Sequence, residues 1–445
     1  MKNRAQIFVL TSPLFLGSLF AFAGQDDTQS VANRLITSQA VRPLIVELSG
    51  DKYEGRGGGY RGEQRAAQYI AKQYADLGLE PMGDVARGKR SFFQEFTFMP
   101  HNPEHPWERL KSHNVIAYLP GSDPVLKSEI LVLGAHYDGQ GKTGQADAFR
   151  KDPLDPKAPA DPIWNSANDN LSSVSAVLSI ARALKQGHVS LKRSVLFVAF
   201  GAEEHECGGS VFYVNHPAFS LKQHNAMINL ECVGRMPGKP FQLDAMMTGS
   251  FWSGAVKEAT AQTGAKAESN IPIPIPDSDH YPFASAKVAA VTLSSQSDPD
   301  RHRPSDTADK IDYDRVVEAA KFSYAMTVYL ANKPEHIGYL PGPFPDMGIM
   351  ADLASPAECD AIHLGPNEGC LRITGVIPGR PGEKLGARQG DAMIQVAGQG
   401  FRRDETLGEL QKFYESVLRG KFGKSIPITI LRDGKKIEVT MTITP

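Results

Sequence analysis

Four short apolar runs, at residues 130–133, 194–200, 226–230 and 289–293, each end abruptly in polar or turn-forming residues. Runs this short, rich in valine, isoleucine and leucine, fit strands buried on both faces. They alternate with amphipathic stretches. Leu171, Val174, Leu178 and Ala181 share one helical face, and a final helix is expected over 314–330. The alternation predicts an α/β fold with a mixed, largely parallel central sheet flanked by helices. Ligands in such sheets sit beyond the carboxyl ends of the strands, so chemistry is sought just after each run.

The chain has 445 residues, too many for one ordinary core, and two domains are expected. Lys2 and Arg4 precede an apolar stretch over 7–22 that closes in Ala21-Phe22-Ala23, the pattern of an export signal cleaved after residue 23. Thr11-Ser12-Pro13 interrupts a run already short for a bilayer, and the expected location is periplasmic or secreted, with no membrane span. Two proline-rich stretches, 152–162 and 271–276, are expected to form rim loops, and 340–345 reads as a domain boundary. A formal net charge of -2 leaves no basic footprint for nucleic acid or anionic membrane. Of the four cysteines, Cys359 and Cys370 flank a short loop-rich stretch and are candidates for pairing. Cys207 and Cys232 fit either a pair or two buried thiols.

The polar residues after the runs form an ordered set. His136 and Asp138 follow the first run, Asn168-Asp169-Asn170 opens the next helix, Glu203-Glu204 follow the second run, Glu231 ends the third, and His302 comes after the fourth. Zinc takes imidazole nitrogen and carboxylate oxygen, and a carboxylate can bridge two metals while catalytic sites keep coordination open. His136, Asp169, Glu204, Glu231 and His302 suffice for two Zn²⁺, with Asp169 as the bridge. His136 and Glu231 complete one ion, Glu204 and His302 the other, and a water lies between them. Glu203, beside a metal ligand yet free of it, is the expected general base. Asp138 is placed to accept the other imidazole N–H of His136 and fix its tautomer.

These residues resemble those of peptidase family M28, the co-catalytic zinc aminopeptidases. The resemblance covers roughly residues 40–332 and rests on Glu54-Gly55-Arg56, NVIAYLPG from Asn114, GAHYDG, NSANDN, GAEEHECGGS, NLECVGR, SDHYPF and HRPSDTADKID. It implies the same five ligands and the same base, and a zinc-peptidase domain over 24–338. Glu231 stands where many members have aspartate. The family also implies that the loop 278–281 borders the substrate pocket, where His280 either touches the substrate or oxyanion or is a packed loop histidine. The M20 hydrolases insert a dimerisation domain before the last histidine, and the 70 residues from Cys232 through Arg301 are too few for it.

From residue 345 to 445 the chain resembles a small, β-rich PDZ domain. Met347, Gly348 and Ile349 match its carboxylate-binding loop and first strand, and a helix at about 407–418 would form the other groove wall. Such grooves add a peptide as an extra strand, so the expected partner is a peptide C-terminus or a protein; the other reading is a module that braces the peptidase domain. The whole predicts a metal-dependent exopeptidase acting on the N-terminus of peptide substrates. Alternatives are carboxypeptidase, dipeptidase or other amide hydrolase action at the same site, or a non-catalytic binding protein acting through the PDZ-like domain.

Overall fold

The computed structural model describes residues 28–100, 108–146, 150–269, 271–295, 298–340, 347–404 and 424–442. The export signal expected over 1–23, nearly all of the boundary at 340–345 and the helix expected at 407–418 lie outside the described residues.

Helices α1 (Thr28–Leu35) and α2 (Ser38–Leu48) lead through a tight turn at Asp51–Arg56 into α3 (Arg61–Asp76). Strands β1 (Glu80–Pro81), β2 (Val85–Ala86), β3 (Lys89–Arg90), β4 (Phe93–Phe98) and β5 (Leu110–Leu119) follow. Then come β6 (Ile130–His136), α4 (Ser173–Gln186), β7 (Ser194–Phe200), α5 (Gly208–Asn215), β8 (His224–Glu231) and β9 (Phe241–Asp244). The first unit closes with α6 (Trp252–Thr263), β10 (Ala267–Glu268), α7 (His280–Ser285), β11 (Ala289–Ser294) and α8 (Tyr313–Asn332).

The nine-stranded sheet runs β1-β5-β7-β6-β8-β11-β9-β10, with β4 paired to β5. Its centre is parallel. Strands β7, β6, β8 and β11 run the same way, while β5 is antiparallel to β7 and β9 to β11. Every residue of β6, β7 and β8 is buried, which is why these segments read as unbroken apolar runs rather than alternating ones. One face packs on α2, α3, α4 and α8 through Ile45, Ile70, Leu178 and Phe322. The other packs on α5 and α7 through Tyr213 and Phe283. Each large apolar side chain so buried contributes about 1.5–3 kcal/mol, enough in sum to hold the strand ends as a rigid platform.

Registers His136↔Phe200 and Ser294↔Glu231 bring the carboxyl ends of the central strands to one edge of the sheet. The helix expected to open at Asn168-Asp169-Asn170 begins later, at Ser173, after a wide turn over Ala167–Ser172. Asp169 (φ -104, ψ 90) and Asn170 (φ -133, ψ 34) lie outside the helical region, so the coil cannot run through them. The Asp306 carboxylate accepts the N–H groups of Asn168 at 2.9 Å and Asp169 at 3.0 Å, so this segment is pinned to a distant loop.

A second, seven-stranded antiparallel sheet follows: β12 (Ile349–Leu353), β13 (Glu368–Gly369), β14 (Leu371–Val376), β15 (Ala392–Val396), β16 (Gln399–Arg402), β17 (Ser425–Arg432) and β18 (Lys435–Thr442), with short helices α9 (Pro356–Ala361) and α10 (Pro381–Lys384). It has its own core around Ile373, Met393, Ile428 and Met441. Its strand β14 lies on α5. A Cβ on Gly375 would come 2.6 Å from Val211 Cγ1, so only glycine permits this approach. Asn215 Nδ2 donates to Val376 O at 2.9 Å, and Arg372 Nη1 to Pro100 O at 2.8 Å.

Candidate metal centre

His136 ends β6, Glu203 and Glu204 follow β7, Glu231 ends β8, Asp169 sits in the wide turn before α4, and His302 lies in the loop after β11. The structure brings these side chains together in two groups that share Asp169. His136, Asp169 and Glu231 form one, and Asp169, Glu204 and His302 the other, each with its ligand atoms within 4.8 Å of one another. His136 Nε2 lies 3.2 Å from Asp169 Oδ1 and 3.3 Å from Glu231 Oε1. His302 Nε2 lies 3.0 Å from Asp169 Oδ2 and 3.4 Å from Glu204 Oε2.

The donor set fits zinc: two imidazoles and three carboxylates, nearly all buried. Buried Asp169 Oδ1 and Glu204 Oε1 have no hydrogen-bond partner among the described residues. Buried carboxylate oxygens without donors are costly unless a cation faces them.

The surrounding groups aim the cluster. Asp138 Oδ1 lies 3.5 Å from His136 Nδ1, and its two oxygens accept the backbone N–H of Glu203 at 3.0 Å and of Glu204 at 3.2 Å. One carboxylate thus ties the first histidine to the Glu203-Glu204 loop. Asn170 Nδ2 and the Ser278 hydroxyl donate to Glu231 Oε2 at 3.1 and 2.9 Å. Fully buried Arg56 donates to the carbonyls of Leu48, Tyr137, Asn165 and Ser166, clamping the segments that lead to His136 and Asp169. His302 holds φ 62, and its carbonyl accepts from Lys151 N at 2.8 Å, which supports that left-handed backbone.

Charge within the cluster is uneven. Burial lifts the Glu203 carboxyl well above the usual carboxylate value; His136 opposes this, while Glu231, Asp279 and Glu204 add to it. Burial and Asp169 raise Glu204 to about 7. Burial alone would lift Asp169, yet Arg301, His136 and His302 hold it well below its ordinary value. Glu203 Oε2 lies 3.6 Å from His136 Nε2, so the most proton-retentive carboxylate borders the cluster without belonging to either ligand group.

His280 starts α7 and is fully buried, its Nε2 3.9 Å from Asp277 Oδ1. Burial lowers its imidazole to about 3. The loop reaches the cluster through Ser278 instead. Asp306, Ser278 and Arg301 were not singled out by residue pattern; each acts across more than 40 residues, where no local periodicity signals a contact. In the second sheet, Met347 O accepts from Gly382 N and Gly348 O from Ile377 N, both at 2.8 Å, and Ile349 is buried. No helix among the described residues is long and apolar enough to cross a membrane.

Residues 114–327 match the sequence profile described as Peptidase family M28. A stretch of 183 residues is 32% identical to aminopeptidase YwaD of Bacillus subtilis (strain 168), covering 39% of this chain and 39% of that relative. The fold is similar to that of a zinc aminopeptidase from Bacillus subtilis, with TM-score 0.51, 17% identity, and coverage of 67% of this chain and 96% of that one. The LapA aminopeptidase of Legionella pneumophila superposes with TM-score 0.52 and 17% identity over 69% of this chain and 75% of its own.

Proposed function

Residues 114–327 belong to peptidase family M28, and from that premise we propose that the chain is a two-zinc exopeptidase that removes N-terminal residues from peptides. The observation that carries this reading is the pair of ligand groups hinged on Asp169, with Glu203 beside them. His136 and Glu231 would hold one ion, Glu204 and His302 the other, and Asp169 both. Bound zinc would supply Lewis acidity for the scissile carbonyl and the attacking water.

The chain's own residues supply the rest. Glu203 takes the proton of the attacking water and returns it to the leaving amine, a role suited to a buried carboxyl with raised proton affinity. Asp138 holds the Glu203 backbone and the His136 ring in one frame. A carboxylate within the cluster, Glu203 itself or a neighbour, reads the free α-amino group of the substrate.

One observation favours a second reading, dipeptidase or carboxypeptidase action. The Arg301 side chain is 40% exposed at the cluster, and its guanidinium matches the geometry of a substrate carboxylate. Arg301 is itself held by Asp169 and Glu231, with which a substrate carboxylate would compete, and Arg235 is engaged by Asp298, Asp300 and Asp306. A panel of free, N-acetylated and C-amidated peptides separates the readings, run alongside zinc analysis. Zinc-dependent turnover lost on acetylation but kept on amidation supports the first; turnover lost on amidation, whether or not acetylation also stops it, supports the second. Turnover of none, with zinc present, contradicts both.

The carboxy-terminal sheet is proposed to be PDZ-like and to brace the peptidase unit. Supporting this are its antiparallel strands, the Met347–Gly348 turn before edge strand β12, and the contacts of β14 with α5. Binding of C-terminal peptides by the whole protein would favour docking instead. Export is proposed from the residue pattern over 1–23.

A further inference from the structure

The four cysteines divide into two kinds. Cys207 Sγ lies 3.8 Å from Glu203 Oε1 and Cys232 Sγ 3.5 Å from Glu231 Oε1, so each of these thiols has a carboxylate oxygen to donate to. Burial, followed by these and other acids, pushes both thiols well above their ordinary value. Cys359 and Cys370 instead share one small buried cluster, close enough that each thiol shifts the titration of the other.

Local geometry brings that pair together. Ser355 caps α9 in a capping box with Glu358, and Cys359 N–H bonds Ser355 O at 3.0 Å, fixing Cys359 on the helix face toward the sheet. Cys370 precedes β14, and its carbonyl accepts from Ala354 N at 3.0 Å, while Cys359 Sγ lies 4.0 Å from Ala354 O. Ala354 therefore touches both cysteines, the backbone carbonyl of Cys370 and the sulfur of Cys359. They sit in a small apolar cluster with Ala354, Ala392 and Leu431, at 0% and 1% exposure. Two cysteines buried in one small apolar cluster, with ten residues between them in the chain, are neighbours of the kind a disulfide joins.

We propose that Cys359 and Cys370 are an oxidisable pair whose disulfide ties α9 to the start of β14. The position gives the bond a structural task. Arg372, two residues beyond Cys370, donates to Pro100 O and lies 3.3 Å from Glu358 Oε1, so the cross-link secures the strand that reaches the peptidase unit. The donating Cys370 thiol and nearby Arg403 bring Cys359 down to about 7, which makes Cys359 the attacking sulfur. When local opening of α9 uncovers the sulfur, its thiolate attacks a small disulfide such as oxidised glutathione, releasing one thiolate and leaving a mixed disulfide. Cys370, having lost its proton to solvent, then attacks the Cys359 sulfur and releases the second. Two protein thiols are oxidised and one small disulfide is reduced to two thiols. The inference does not depend on the peptidase reading.

The full chain, treated with oxidised glutathione, denatured and alkylated, is cut at Asp360 or Glu368, both of which lie between the two cysteines. Fragments carrying Cys359 and Cys370 should be joined until reduced, with Cys207 and Cys232 both alkylated. Four alkylated cysteines, or a bond that includes Cys207 or Cys232, would overturn the proposal. Reductant should lower the unfolding midpoint of the oxidised protein by roughly 5 °C. Cys359→Ser should start from that lower midpoint and ignore reductant, with peptide hydrolysis unchanged. A wild-type midpoint indifferent to reductant would overturn the bracing role.

Discussion

Arg301 Nε lies 3.0 Å from Asp169 Oδ2, the same oxygen that His302 Nε2 approaches at 3.0 Å. A guanidinium and an imidazole thus converge on the one carboxylate common to both ligand groups. Arg301 Nη2 also lies 3.6 Å from Glu231 Oε1, so this arginine balances negative charge that a cation would otherwise balance. Arg301→Met should therefore lower the stability of the chelator-treated protein by roughly 1 kcal/mol, a modest loss because the side chain is partly in water. It should also tighten zinc binding about tenfold by removing a competing cation. Thermal unfolding with chelator and calorimetric zinc titration check both. Unchanged zinc affinity would show that Arg301 does not compete for these carboxylates.

Glu203→Gln keeps the size of the side chain but cannot accept a proton. Zinc content should stay at the wild-type level, while kcat/KM falls about 10²–10⁴-fold. Loss of metal together with rate would mean that Glu203 is a ligand.

Asp138 accepts two backbone N–H groups and borders His136. Asp138→Asn places an N–H₂ group against one of those donors or against the imidazole. Zinc affinity should drop about 10–100-fold, measured by competition with a chromogenic chelator. An unaltered affinity would reduce Asp138 to a loop anchor.

Acid should destabilise the fold through His224. Its ring is buried, with Nε2 2.8 Å from the Tyr213 hydroxyl and Nδ1 3.0 Å from Ser220 O. Burial lowers its value from 6.5 to about 4, partly offset by Ser220. Between those values the unfolded chain binds a proton that the folded chain refuses, so stability is full above pH 6.5 and falls as pH drops toward 4. The contribution is roughly 3 kcal/mol, and His224→Gln should flatten the slope of stability against pH across this window. Parallel slopes for variant and wild type would refute the assignment.

The fold was most legible where burial is uniform. The central strands β6, β7, β8 and β11 stand out in the sequence because both of their faces are covered, and His136, Glu203, Glu204 and Glu231 follow from their ends. The late start of α4 was not legible, since Asp169 and Asn170 leave the helical region where Asn170 bonds Glu231 and Cys232, more than 60 residues away. Ser278 and Arg301 escaped for the same reason: their roles arise from loop approach, which neither propensity nor spacing encodes. His280 is a different case. Its motif left open a substrate contact or a packed loop histidine; the ring is buried at the start of α7, and the neighbouring Ser278 carries the contact with Glu231.

The central claim is that five side chains hold two cations around Asp169. X-ray diffraction from crystals of the zinc-loaded protein, recorded on both sides of the zinc absorption edge, tests it directly. The account predicts two anomalous peaks, one among His136, Asp169 and Glu231 and one among Asp169, Glu204 and His302. A single peak, or peaks away from these residues, would contradict it.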